Sequence, residues 1–105
     1  MSSQNAFQPG GPGIVVAATT SNTTTLMSPA PQSSSPLTAI LIYNPGTVAV
    51  YYKTGGSGVV ATTSDTPVAA GRSRVFSVPP SDLYIGLIFA ATGSGNVSVI
   101  RGEGL

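Results

Sequence analysis

The chain reads as an all-β domain: an antiparallel β-sandwich or jelly-roll-like fold of about seven or eight short strands, with an extended N-terminal arm. Three observations point there. From Leu37 onward, runs rich in Val, Ile, Leu, Tyr, Phe and Thr recur about every ten residues, each closed by Gly, Pro, Asn, Asp or Ser. No stretch of helical length carries apolar residues at the 3.6-residue period. Two of the runs are apolar on both alternating sets of positions, as strands are when both faces are covered.

The elements follow in order. Residues 1–36 are expected to be the arm. Pro9-Gly10-Gly11-Pro12-Gly13 opens it, and Pro29, Pro31 and Pro36 punctuate its second half. Each proline removes a backbone donor and pushes its predecessor toward extended geometry. Between them, Ile14-Val15-Val16-Ala17-Ala18 and the Thr-rich tract ending at Leu26-Met27 allow one or two short strands. Residues 37–105 are expected to be the sandwich. Leu37 to Tyr43 is a strand stopped by Asn44-Pro45-Gly46, and Thr47 to Lys53 is the next, so the pair reads as a hairpin. Val59 to Thr62 reads as a short strand, and Asp65 and Pro67 mark a polar corner. Arg74 to Val78, Leu83 to Ala91 and Asn96 to Arg101 complete the set, separated by Pro79-Pro80-Ser81-Asp82 and Thr92-Gly93-Ser94-Gly95.

In the run from Leu37, positions 37, 39, 41 and 43 are Leu, Ala, Leu and Tyr, while 40 and 42 are both Ile. In the run from Leu83, Leu83, Ile85, Leu87 and Phe89 share one face, with Tyr84 and Ile88 opposite. One face of each belongs to the core. The other needs a cover, either the arm or another subunit.

Composition narrows the function. Only seven of 105 residues are charged, four cationic and three anionic, against about a quarter in an ordinary domain. Gly, Pro, Ser and Thr make up 48 residues, and His, Cys and Trp are absent. Zinc or copper sites built on His or Cys cannot form, nor can a Cys nucleophile, a Ser-His-Asp triad or a disulfide framework. A net charge of +1 is too weak to hold a phosphate backbone, so no nucleic-acid partner is expected. A monomer free in solution usually keeps charge for solubility, so much of this surface is expected to be covered by other protein.

No constellation suggests catalysis, and no cofactor or metal is expected. Thr54-Gly55-Gly56-Ser57-Gly58 lacks the Gly-Lys-Ser/Thr of a phosphate loop and precedes no helix. Asp65 and Asp82 sit in turns beside Ser or Thr, where Asp commonly bonds the local backbone. No Asp-x-Asp-x-Asp-Gly run offers a calcium loop. Arg72 and Arg74 share one side of a strand and read as an interface or ion-pair couple. Tyr43, Tyr51, Tyr52 and Tyr84 read as core or interface aromatics before a sugar platform.

No apolar run approaches the 18 residues of a membrane span, so no membrane partner is expected. Met1 to Asn5 has neither the cationic nor the apolar region of a signal peptide, so synthesis in a host cytoplasm is expected.

Several segments together resemble small virion structural proteins of tailed bacteriophages. They are Ile42-Tyr43-Asn44-Pro45-Gly46, Ala61-Thr62-Thr63-Ser64-Asp65-Thr66-Pro67-Val68-Ala69-Ala70-Gly71 and Val75-Phe76-Ser77-Val78-Pro79. The ending Val97-Ser98-Val99-Ile100-Arg101-Gly102-Glu103-Gly104-Leu105 is similar to a Val-x-Ile-x-x-Gly-Glu-Gly ending in that group. Beyond the Ile42–Gly46 segment, the likeness spans Val48 to Leu105 and leaves the arm unaccounted for. It implies a capsid decoration, or cement, protein: a β-sandwich or jelly-roll homo-oligomer, commonly a trimer, on the capsid surface of the virion, bridging neighbouring copies of the major capsid protein. On that reading Ile40, Ile42, Tyr51, Tyr84 and Ile88 are expected at contacts between subunits. Ile14, Val15, Val16, Ala17 and Ala18 are expected against the capsid. The alternatives are a tail, neck or fibre component, and a host-surface or carbohydrate-binding module using the tyrosines.

Overall fold

A computed structural model describes residues 7–31 and 36–103. Among them, β-branched and aromatic residues at alternating positions form nine strands. These are β1 (Gln8–Pro9), β2 (Ile14–Ala18), β3 (Thr23–Leu26), β4 (Ala39–Tyr43), β5 (Val50–Gly55), β6 (Thr66–Val68), β7 (Ser73–Ser77), β8 (Tyr84–Phe89) and β9 (Gly95–Glu103). They make an all-β fold of two antiparallel sheets packed as a sandwich. In sheet A, β1 and β2 lie along one side of β9, followed by β4 and then β7. In sheet B the order is β3-β8-β5-β6.

Alternation places the core. Val97 and Val99 of β9, Ile40 and Ile42 of β4, and Val16 and Ala18 of β2 point inward from sheet A. Ile85, Leu87 and Phe89 of β8, with Val50 and Val68, meet them from sheet B. Tyr52 of β5 and Phe76 of β7 close one flank, ring centroids 4.6 Å apart and planes inclined at 44°.

Four expectations are corrected by this arrangement. The segment before residue 37 is no separate arm in its described part. The five residues of β2 pair with β9, β3 pairs with β8, and Val16, Ala18 and Met27 belong to the same core as the rest. Its Ile14-Val15-Val16-Ala17-Ala18 run alternates about a sheet face, and burying that face is what draws it in. The expected hairpin does not form either. β4 belongs to sheet A and β5 to sheet B, so Asn44 to Ala49 crosses between layers. The crossing is held by Asn44, which is fully buried. Its Oδ1 accepts from Gly46 N at 2.8 Å, and its Nδ2 donates to Val48 O and Val68 O, both at 2.9 Å.

The run Val59 to Thr62 is not a strand but part of the loop between β5 and β6. Last, Ile40 and Ile42 cannot meet another subunit, nor can Val16 and Ala18 meet a capsid. All four side chains fill the interior, Ile40 and Ile42 with no exposure at all. Residues 1–6, 32–35 and 104–105 of the expected arm and ending lie outside the described residues.

Candidate interaction surfaces

The parity that points Val97 and Val99 inward also points Arg101 inward, and its side chain is fully buried. Three backbone carbonyls receive it. Nε donates to Leu37 O at 2.9 Å, Nη2 donates to Pro79 O at 2.8 Å, and Nη1 donates to Asp82 O. The Asp82 carboxylate, itself accepting from Thr54 Oγ1 at 2.9 Å, adds a favourable charge nearby. Burial pulls the Arg101 pKa below its ordinary value, and Asp82 pulls the other way. Leu37 holds a left-handed φ of 53°, unusual for a residue with a side chain, while its carbonyl receives the guanidinium. Chemically this cluster is a clamp: each of the three guanidinium nitrogens donates to a backbone carbonyl.

The outer face of sheet B carries Tyr51, Tyr84 and Ile88, three of the expected interface residues, all half-buried. Tyr51 pairs with Ile88 across β5 and β8, and Tyr84 pairs with Gly55. Between these two rows lies Gly86, and the β5–β6 loop crosses the sheet there. Thr24 Oγ1 donates to Val59 O at 2.6 Å, and Ala61 N donates to Asn22 Oδ1 at 2.7 Å, tying the loop to β3 on the far side of β8. A Cβ at Gly86 would stand 2.7 Å from Asn22 Oδ1 and 3.0 Å from Ala61 N, so only glycine lets the loop lie this close. The cover that the second face of β8 requires is therefore supplied in part by the chain's own residues 59–61.

The outer face of sheet A is different. Register places Val15, Ser98, Tyr43 and Ser73 in one row across β2, β9, β4 and β7, and Ile100, Leu41 and Val75 in the next. Val15 is 66% exposed and Tyr43 43%, and the second row is half-buried. At one end Phe7 and Gln8 lie over Gly102, where a Cβ would stand 2.2 Å from Gln8 O. Of the five residues expected to contact a capsid, Val15 and Ala17 are exposed on this face, whereas Ile14 packs against the core.

Sequence reasoning missed Tyr43, Leu41, Val75 and Ile100 as a group. Tyr43 and Leu41 share one parity in a run that was visibly two-faced. Ile100 alternates with Arg101, and the assumption that arginine faces water hides which of the two is outside.

At the end of sheet A near β6, Arg72 and Arg74 flank Ser73 beside Ala69 around an open depression. Arg74 lies 5.5 Å above the Phe76 ring, a cation–π contact at the sandwich flank. Asp65 behaves as a turn residue, its Oδ2 accepting from Thr62 N at 2.8 Å. Among the described residues no three His, Cys, Asp or Glu side chains gather as metal ligands. The tyrosines do not share a platform: Tyr43 is on the outer face of sheet A, Tyr51 and Tyr84 are on that of sheet B, and Tyr52 packs against the core.

No protein-family model, curated protein or solved structure matches this chain.

Proposed function

We propose that the chain is a structural protein of a virion, a decoration or cement protein that acts as an oligomer on the capsid surface and reinforces contacts between major capsid proteins. The strand order is the observation that carries this reading. Taking β1 and β2 as one interrupted strand gives two four-stranded sheets, with the first strand beside the last and successive strands crossing from sheet to sheet, except that β5 and β6 pair within sheet B. We read this as a jelly-roll-like order, an architecture that capsid domains use and that lectins and cupins share. The buried polar groups favour a structural role over a catalytic one. Arg101 and Asn44 spend their hydrogen bonds on backbone, and the depression at Arg72 and Arg74 contains no carboxylate or nucleophile pair.

Capsid binding of this kind rests on repetition. Each site adds modest apolar area, and many sites around a shell sum to a large resistance to expansion. Quantitative mass spectrometry of purified particles should find the chain at a copy number comparable to that of the major capsid protein. A copy number typical of a tail would move it to tail, neck or fibre, and absence from particles would end the virion reading. Dispersal of the tyrosines over two faces and the core weighs against a carbohydrate-binding module built on an aromatic platform.

A further inference from the structure

We propose that the open edge of β7 is a docking site for an extended acidic segment of another protein. The segment adds to sheet A as an antiparallel strand beyond β7 and sets alternate carboxylates against Arg72 and Arg74. The inference stands on this edge alone and holds whichever particle the chain joins.

The first ground is the backbone of β7. It is the last strand of sheet A, and its only strand partner is β4. Two bonds fix the phase of that ladder. Asn44 N donates to Arg72 O at 2.9 Å at one end, and Val78 N donates to Thr38 O at 2.8 Å at the other. Bonded and non-bonded pairs alternate between antiparallel strands, so Arg74 and Phe76 are the residues of β7 that bond β4. The N–H and C=O groups of Ser73, Val75 and Ser77 then point the other way, where no further strand lies among the described residues. Such a row is a template for another strand. Proline commonly guards an edge: β6, an edge of sheet B, has Pro67 at its centre, whereas Ser73-Arg74-Val75-Phe76-Ser77 has none.

The second ground is charge. Of the chain's four cations, Arg101 is buried and Lys53 lies on sheet B. The other two, Arg72 and Arg74, stand together and exposed around the depression beside Ala69 and Ser73. Asp65 accepts from Thr62 N and Asp82 from Thr54 Oγ1, and among the described residues neither Arg72 nor Arg74 has a carboxylate partner. A neutral strand laid here takes water from both cations without replacing it, and a basic strand is repelled. A strand with carboxylates at the matching positions gives each guanidinium a charge-assisted partner. The two arginines thus turn a general edge into a selective one. The chain's own three carboxylates, Asp65, Asp82 and Glu103, are far apart in sequence, so no segment of a second copy supplies such a pair.

The third ground is spacing. Arg72, Arg74 and Phe76 occupy alternate positions on one side of the chain, roughly 7 Å apart, which is the side-chain repeat of any strand laid alongside. Arg74 already rests over the Phe76 ring at 5.5 Å, which holds its guanidinium at the edge. An antiparallel strand, the sense of every pairing in sheet A, meets this row with an apolar residue opposite Phe76 and acidic residues opposite Arg74 and Arg72. A small anion would engage the arginines but none of the backbone groups of Val75 and Ser77.

NMR titration of the full chain with the end-blocked peptide Thr-Val-Thr-Glu-Thr-Glu-Thr tests this. The peptide should bind, and amide exchange should slow at Ser73, Val75 and Ser77 while staying unchanged at Arg74 and Phe76, whose amides already bond β4. The double variant Arg72→Gln, Arg74→Gln should bind about tenfold more weakly. Lys53→Gln should bind as the wild type does. All three side chains are exposed, and a thermal melt checks that the variants fold. The same peptide methylated at its threonine amide nitrogens keeps both charges but loses its bonds to β7, and should not bind. Absence of binding at millimolar peptide overturns the proposal, as does equal binding by the double variant. A methylated peptide that binds as well as its parent also overturns it, as does inorganic phosphate that slows the same three amides, since either reduces the site to one for anions. Tighter binding of an oligo-dT strand through the same arginines overturns it in favour of nucleic acid.

Discussion

The Nη2 of Arg101 donates to the carbonyl oxygen of Pro79 at 2.8 Å, inside a side chain environment with no exposure to water. One guanidinium thereby joins the last described strand to the β7–β8 connection, and through Leu37 to the entry of β4. Its planar fork of five donors is what makes three divergent carbonyls reachable at once.

Replacing Arg101 with Leu should therefore take the guanidinium donor from the carbonyls of Leu37 and Asp82, leave Pro79 O with the Asp82 amide alone, and leave the Asp82 carboxylate without its cation. The expected loss is about 3–5 kcal/mol of unfolding free energy, as when one partner of a buried polar pair is removed. Arg101→Lys keeps the charge but offers one nitrogen for three directions, so it should lose about 2 kcal/mol. Urea denaturation measures both. A lysine variant as stable as wild type would show that charge matters here and geometry does not.

Gly86→Ala puts a methyl group where the β5–β6 loop crosses β8. The loop must lift, breaking the bonds from Ala61 N to Asn22 Oδ1 and from Thr24 Oγ1 to Val59 O. A destabilisation of about 1–3 kcal/mol is expected, as for overpacking elsewhere. The local signature is sharper: hydrogen exchange at the Ala61 amide should accelerate more than exchange in β9.

Tyr52 should set an alkaline limit to stability. Burial raises the pKa of its hydroxyl above the ordinary value of 10.0, and the nearby Arg74 cation opposes that rise. Because the folded pKa exceeds the unfolded one, the folded state keeps the proton longer. Stability from this group is intact below about pH 10 and declines as pH rises through the folded pKa. Tyr52→Phe should flatten the fall in melting temperature above pH 10. Arg74→Ala should move phenolate formation at Tyr52 still higher, as read by difference absorbance against Tyr52→Phe.

Deletion of residues 1–36 should abolish folding and not merely weaken binding. It removes β1, β2 and β3, which edge both sheets, along with the core side chains Val16, Ala18 and Met27. Circular dichroism should show loss of the cooperative thermal transition. A truncated protein that still melts cooperatively would mean that the remaining strands close a core of their own.

The strand runs were legible because each combines β-branched or aromatic residues with a turn cluster at its end, as in Leu37 to Tyr43 before Asn44-Pro45-Gly46. Strand partners were not. A turn at Asn44 suits a hairpin and a crossing between sheets equally well. The choice was made by Asn44 Nδ2 reaching Val68 O, 24 residues away. The same limit hid the role of Ile14 to Ala18, since its proline- and glycine-rich flanks dominate the composition of the segment. Surface and core were confused at Ile40 and Ile42 because both faces of that run are apolar. Only pairing with β9 and β7 decides which face turns inward.

The position of β9 governs when the molecule can form. It lies between β4 on one side and β1 and β2 on the other, so the last strand described completes the pairing of the first ones. A growing polypeptide can hold β1 to β8 and still lack the centre of one layer, with Val16 waiting for Val97 and Ile42 for Val99. Contacts this distant in sequence carry a large loop-closure cost and put folding in the millisecond-to-second range of β-rich topologies. Folding of such a domain thus waits for synthesis of β9, and no fragment that lacks β9 presents the finished surface to a partner.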